Sequence, residues 1–206
     1  MTSLFTASRS TGSAAQGFTL IEMLIVVLIG SILAAVAAPS LISVIESNRR
    51  TLISNQLMED LVFARRQALA LSTSVALCGS DSTQASTCIA LDPYPTDWSN
   101  GWYTYIGKSN KLTPASAAAG LVLRSPQAAP SGWKVDAYLG IHNYVALSPR
   151  AVSIGNGHFT IYRSGSATAS CVVFNAPTGR ARAVTATVAT GVVSTANGQD
   201  PCKNLD

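Results

Sequence analysis

Gly17-Phe18-Thr19-Leu20-Ile21-Glu22 opens the most apolar stretch of the chain. Phe18 to Ala38 is 21 residues with a single charge, Glu22, and Met23 to Ile45 carries none at all. A bilayer core is crossed by about 20 apolar residues in helical form, so this run is long enough to span. There is no second run of its kind, which excludes a multi-span membrane protein. The 206-residue chain is 48% hydrophobic and only 12% charged, where soluble domains carry roughly a quarter charged residues. That balance excludes an ordinary cytosolic enzyme. A net charge of +4 suits anionic partners without marking a dedicated nucleic-acid protein.

The flanks leave orientation open, because residues 1–17 hold one cation, Arg9, and the far side holds Arg49 and Arg50. Ala35-Val36-Ala37 reads as a small-residue cleavage site, so a secretory signal is an alternative on composition. Against it, the apolar run starts late, contains a carboxylate, and keeps its helical character through Ile45.

The Gly17–Glu22 hexapeptide resembles the class III leader of type IV pilins and type II secretion pseudopilins. The resemblance implies that a prepilin peptidase cuts between Gly17 and Phe18 and methylates the new Phe18 amine. Gln16 stands where the family carries Lys or Arg before the glycine. A carboxylate inside a bilayer is costly and needs a partner. Cleavage creates an ammonium at Phe18, one helical turn from Glu22, and Glu22 can pair with that group on a neighbouring subunit and set the register of assembly.

Beyond Pro39, a helix-kinking residue, Leu41, Ile45, Ile53, Leu57, Leu61, Ala64, Ala68 and Leu71 recur at helical spacings as an amphipathic stripe. Glu46, Arg49, Arg50, Glu59, Asp60, Arg65 and Arg66 fill mostly the other face. One helix is therefore expected from Phe18 to about Ser72, membrane-spanning over 18–38. The order Ser47-Asn48-Arg49, Ala64-Arg65-Arg66-Gln67-Ala68, Val75-Ala76-Leu77-Cys78 and Trp98-Ser99-Asn100-Gly101-Trp102 is similar to the FimT/GspH group of minor pilins and pseudopilins. The likeness covers residues 17–107, whereas residues 108–160 match no pattern.

From Thr73 the composition shifts to β-branched and aromatic runs broken by Gly, Pro and Asn. Strands are expected at 73–78, 101–107, 121–125, 133–139, 144–147, 158–163, 171–175 and 180–190. The expected fold class is α+β, the pilin arrangement of a long N-terminal helix packed on a C-terminal antiparallel sheet. Its divisions are a leader (1–17), the helix (18–72) and a β-rich head (73–206). All four cysteines, Cys78, Cys88, Cys171 and Cys202, lie in the head, and an even count in an exported domain suggests disulfides. Three connectivities are open. Cys78–Cys88, closing a short loop, and Cys171–Cys202, tying the tail to a strand, are the favoured pair. A metal site is disfavoured, since there is no C-x-x-C and His142 and His158 lie far from most of the cysteines in sequence. His158 reads as a structural histidine. No nucleophile elbow, phosphate-binding loop or zinc-protease motif occurs, so neither catalysis nor a cofactor is expected.

From Thr73 on, nine cations face six aspartates. Thr178-Gly179-Arg180-Ala181-Arg182-Ala183 stands out, because arginines two apart on a strand project from one face. Two readings are open: charged gatekeepers of an edge strand, or a phosphate grip, which arginine makes bidentately. Gly179, Arg180 and Arg182 are similar to the G-R-x-R motif of FimT proteins implicated in natural transformation. That resemblance implies binding of double-stranded DNA without sequence preference, with Arg163 and Lys203 as neighbours chosen by charge alone. The expected function is a FimT-like minor pilin, and the alternatives are a GspH-like pseudopilin of type II secretion and a secreted binding module with a cleaved signal. For a pilin or pseudopilin, the partners implied are other major and minor pilins or pseudopilins, the prepilin peptidase, and an assembly platform in the bacterial inner membrane, with the head in the periplasm.

Processing can be checked directly. Mass spectrometry of the protein from its native host is expected to show residues 1–17 removed and one methyl group on Phe18. A mature terminus just after Ala37 would restore the secretory-signal reading.

Overall fold

The computed structural model describes residues 17–80, 96–107, 121–125, 127–138, 144–150, 153–154, 157–175, 180–188, 191–193, 200–203 and 205. The chain divides into two units, residues 1–44 and 45–206. Among the described residues, one helix, α1 (Leu20–Ala70), runs through the boundary and is followed by ten strands.

In the first unit, Thr19 caps α1, its Oγ1 accepting from the Glu22 N–H at 3.3 Å. Thr19-x-x-Glu22 is thus half of a capping box, and the Glu22 carboxylate sits in the first turn, where the helix dipole favours negative charge. The large apolar side chains from Phe18 to Val44 are all about half exposed or more, as expected of a surface suited to lipid or to other helices. Ser31 Oγ donates to the Leu28 carbonyl (2.7 Å) and Ser40 Oγ to that of Ala37 (2.8 Å), so these hydroxyls need no external partner in an apolar medium. The helix continues through Pro39.

In the second unit, α1 buries Ile53, Leu57, Leu61, Ala64 and Ala68. The stripe begins later than its sequence pattern suggests: Leu41, in the first unit, and Ile45 and Leu71 are exposed. The helix ends with Ser72 in the left-handed region (φ 50°), and the Thr73 N–H donates to the Ala68 carbonyl at 3.2 Å. That is a Schellman-type end made without glycine, and it stops α1 two residues short of Ser72.

The strands form two five-stranded sheets in which every pairing is antiparallel. The first has the order β4 (Val122–Arg124), β3 (Trp102–Ile106), β1 (Val75–Gly79), β6 (Tyr144–Leu147), β7 (Ser153–Ile154). The second has the order β10 (Arg180–Thr187), β9 (Thr168–Asn175), β8 (Gly157–Arg163), β5 (Trp133–Tyr138), β2 (Thr96–Asp97). All eight expected strands are present within a few residues of their expected ends, and the fold class is α+β as expected. The two-residue strands β2 and β7 are additions that no periodicity announces.

The inner sheet faces meet α1 in one core. Val75, Leu77, Val145 and Leu147 come from the first sheet, Val135, Phe159, Ile161, Val172 and Phe174 from the second. Trp98 fills the end of that core edge-on to Phe159, with ring centroids 4.9 Å apart. Gly101 (φ 91°) lets the Trp98–Trp102 turn close, its N–H donating to the Trp98 carbonyl at 2.9 Å. This explains the W-x-x-G-W spacing.

Polar contacts fix how the helix lies on the sheets. Asp60, expected on the solvent side, is buried instead. It accepts from Trp102 Nε1 at 2.7 Å and from Arg124, whose guanidinium lies 4.1 Å over the Phe63 ring. Glu46 pairs with Arg163, Arg50 donates to the Thr168 carbonyl (3.1 Å), and Ser54 Oγ donates to Ser170 Oγ (2.7 Å). These three helix residues, four apart, run along one face over the β8–β9 turn.

Leu57 has no exposed surface, so Leu57→Ala should lower stability by about 2–5 kcal/mol through reduced burial and a residual cavity. Leu52 is 67% exposed, and Leu52→Ala should change stability by less than about 0.5 kcal/mol. Chemical unfolding of the full chain in detergent compares the two, and equal effects would mean the stripe is misplaced.

Candidate nucleic-acid interface

Alternation along the second sheet separates its two faces. Phe159, Ile161, Val172, Phe174 and Ala181 point to the core. The intervening residues make the outer face, and register aligns them across strands: His158 opposite Val173 and Val173 opposite Arg182, then Thr160 opposite Cys171 and Cys171 opposite Val184. Arg180, opposite Asn175, shares this face. The two arginines therefore project from one outer face of an edge strand, both exposed, and the small Ala181 between them turns inward.

The end of the chain lies across that face. The Asp200 carboxylate bonds His158 Nε2 (2.8 Å) and accepts from Thr160 Oγ1 and the Cys202 N–H (both 2.9 Å). Cys202 is disulfide-bonded to Cys171, with Cα atoms 5.5 Å apart. The Leu205 N–H donates to the Cys202 carbonyl (3.0 Å), and the Leu205 carbonyl accepts from Arg182 Nη2 (2.8 Å). Asp200 thus meets β8, Cys202 meets β9 and Leu205 meets β10. Both side chains of the His158–Asp200 pair are 3% exposed, and the His158 ring stacks on Tyr138 at 5.0 Å. His158 is structural, as its sequence context suggests, with a carboxylate holding its ring. Burial pushes the Asp200 carboxyl up, but the hydrogen bonds from His158, the Cys202 amide and Thr160, with the His158 charge, carry it below its ordinary value.

The sequence-based site residues are only partly brought together. Arg180 and Arg182 lie side by side, and Lys203 is exposed on the strap that crosses toward them. Arg163 is elsewhere: it ends β8 five residues beyond His158, about 17 Å along the strand at the usual rise, and it is paired with Glu46. Charge alone suggested it, and charge carries no position. Gly179 lies outside the described residues. Cys78 is disulfide-bonded, while Cys88, its expected partner, and His142 lie outside the described residues. Gly17 and Phe18 precede α1 and are exposed, as is Glu22. The strap itself is what sequence reasoning missed, although an aspartate two residues before a cysteine expected to tie down the tail was a usable signal.

Residues 54–197 match the family model described as type II transport protein GspH, and residues 12–38 match the prokaryotic N-terminal methylation motif. The chain belongs to the GspH family. Its role is that of a minor pilin or pseudopilin of type IV pili or type II secretion, a family that assembles with other pilins after prepilin peptidase processing, as the leader implies. No curated protein matches the chain. Among solved structures, the Pseudomonas aeruginosa type IV minor pilin FimU is similar in two crystal forms. The first has 12% identity over 66% of this chain and 89% of that one with TM-score 0.47; the second has 12% identity over 64% and 89% with TM-score 0.44.

The Asp200 clasp has a defined pH window. A carboxyl lowered on folding contributes stability that is complete above its ordinary value of 3.8 and is lost as pH falls through its folded value. The difference in unfolding free energy between the native chain and Asp200→Asn should therefore be steady just above that value and shrink below it. Urea unfolding between about pH 2 and 5 measures it, and a difference that grew on acidification would contradict the assignment.

Proposed function

We propose that this chain is a minor pilin of a type IV pilus, anchored by residues 18–38 in the bacterial inner membrane with its head in the periplasm, and that its head binds double-stranded DNA for uptake. The observation that carries the reading is the arginine pair. Arg180 and Arg182 stand two residues apart on the outer face of β10, with their side chains exposed and the uncharged Ala181 turned to the core. Two guanidiniums at strand spacing are about 7 Å apart along the chain, a separation matched to successive phosphates of one DNA strand. The sheet face beside them offers polar and aliphatic groups but no exposed aromatic platform among the described residues. Contact is therefore with phosphate, blind to sequence, and strongly salt-dependent.

A second reading is favoured by the description of the matched family, type II transport: a pseudopilin of a protein-export fibre. Both readings share the leader, the pairing of Glu22 with a neighbouring Phe18 amine, and assembly with other subunits. They differ in what the arginines do.

The test is the double substitution Arg180→Gln with Arg182→Gln. Binding of the unmodified chain to a mixed-sequence duplex should fall in the range of roughly 10⁻⁴ to 10⁻⁶ M. The double variant should weaken it and reduce the slope of log affinity against log salt by up to about two units, near one for each phosphate no longer neutralised. In the host, the variant should still assemble fibres but take up less DNA. Unchanged binding and uptake would leave the arginines as edge gatekeepers and favour the export reading.

A further inference from the structure

The strap that crosses β8, β9 and β10 is more than a covalent tidy-up of the chain end. Each of its anchors fixes the next. Asp200 is held by His158 and Thr160 on β8, and it accepts from the amide of Cys202, which sets the backbone that delivers Cys202 to Cys171 on β9. The Cys202 carbonyl then closes a turn on the Leu205 N–H, and that turn aims the Leu205 carbonyl at Arg182 Nη2 on β10. Adjacent strands are about 4.8 Å apart, so the two steps from β8 to β10 are within easy reach of the chain from Asp200 to Leu205, and all three contacts can be made without stretching it.

Arg182 is the only one of these partners whose side chain is exposed. An exposed arginine ordinarily samples many rotamers, and ordering it on binding is unfavourable. A guanidinium has five N–H donors. One backbone carbonyl occupies one of them, which removes rotamer freedom while leaving most of the fork for a bidentate partner. A carbonyl also carries no full charge, so the guanidinium stays an attractive site for an anion. Between the Cys202 and Leu205 anchor points the strap carries the exposed Lys203, which adds a cation beside the arginine pair.

We propose that the strap formed by residues 200–203 and 205 is a positioning element of the phosphate-binding face: its clasp on His158 and Cys171 presents the Leu205 carbonyl that holds Arg182 ready for a phosphate. This rests on the DNA-binding reading above and adds to it the element that pre-orders the contact. The strap acts through Arg182, so its loss has a signature distinct from loss of the arginine. Removing a cation reduces both affinity and salt slope. Removing only pre-order reduces affinity at every salt concentration and leaves the slope unchanged, because the number of phosphates neutralised is the same.

The experiment compares the full chain in detergent with Cys171→Ser/Cys202→Ser, which is charge-neutral, by titration of a short mixed-sequence duplex from about 50 to 200 mM salt. The expected result is affinity weaker by about two- to tenfold, the range for losing the pre-order of one rotamer-rich side chain, with the slope reduced by no more than about the one unit that displacing Lys203 could remove. Should that variant fail to fold, Leu205→Pro serves instead: it removes the N–H that closes the turn on a partly exposed residue. Affinity unchanged or increased would overturn the proposal, the latter because the strap would then be a competitor for Arg182. A slope reduced as much as in Arg180→Gln/Arg182→Gln would also overturn it, since the strap would then be supplying charge and not order. If the arginine double variant itself left binding unaltered, the DNA reading would fail and this inference with it.

Discussion

Burial of one face of α1 between two sheets at once is the constraint on which the second unit depends. Ile53, Leu57, Leu61, Ala64 and Ala68 contribute a row that narrows from branched side chains to alanines. Ala68 at the end of the row is only seven residues before Val75, and the connection is one Schellman turn. Leu77 of the first sheet and Phe174 of the second are buried in one cluster with that helix row. The polar contacts at Glu46, Arg50, Ser54 and Asp60 then select one rotation and one axial position for the helix. Apolar burial is non-directional, and these contacts supply the direction.

How much of this was legible in the sequence follows from how local each cause is. The apolar run and the hexapeptide Gly17–Glu22 are local, and they pointed to the N-terminal methylation motif that matches residues 12–38. Period-two alternation is local, and it located eight strands and placed Arg180 and Arg182 on one face. Asp60 was misjudged because its partners, Trp102 and Arg124, are 42 and 64 residues away. A carboxylate three residues from Leu57 lies at the margin of the stripe, and only the indole and guanidinium across the core decide that it turns inward. Arg163 was grouped with the others by charge, yet its strand runs away from Arg182 and its side chain goes to Glu46. The strap was invisible for the same reason as Asp60. It depends on contacts between β8 and a tail 40 residues or more further along the chain, and on the register that puts His158, Val173 and Arg182 in one row.

The two units place different demands on polar groups. In α1 up to Val44, hydroxyls are satisfied by carbonyls of their own helix, which suits a segment that must satisfy itself internally in lipid. Glu22 is the exception, and its placement in the first turn moderates the difficulty. Thr19 Oγ1 caps the Glu22 N–H, and the side chain stands in the first turn, at the end of the helix where the dipole favours negative charge.

The distribution of charge along β10 bears on what its arginines are for. Edge strands resist unwanted pairing when charge is spread along them or the strand is short. β10 is eight residues long, and both of its cations fall in the first three positions, which leaves Ala183 to Thr187 uncharged. As gatekeepers the pair would guard less than half of the edge. After the uncharged part, the Val188 and Val193 N–H groups donate to the Ala167 and Ser166 carbonyls of the β8–β9 turn. The charged part instead adjoins the strap, with Lys203 and the Leu205 carbonyl at hand. Cations gathered at one end of a strand, two residues apart and with one tethered by a backbone carbonyl, suit a ligand with regularly spaced negative charge better than they suit the general task of keeping other strands away.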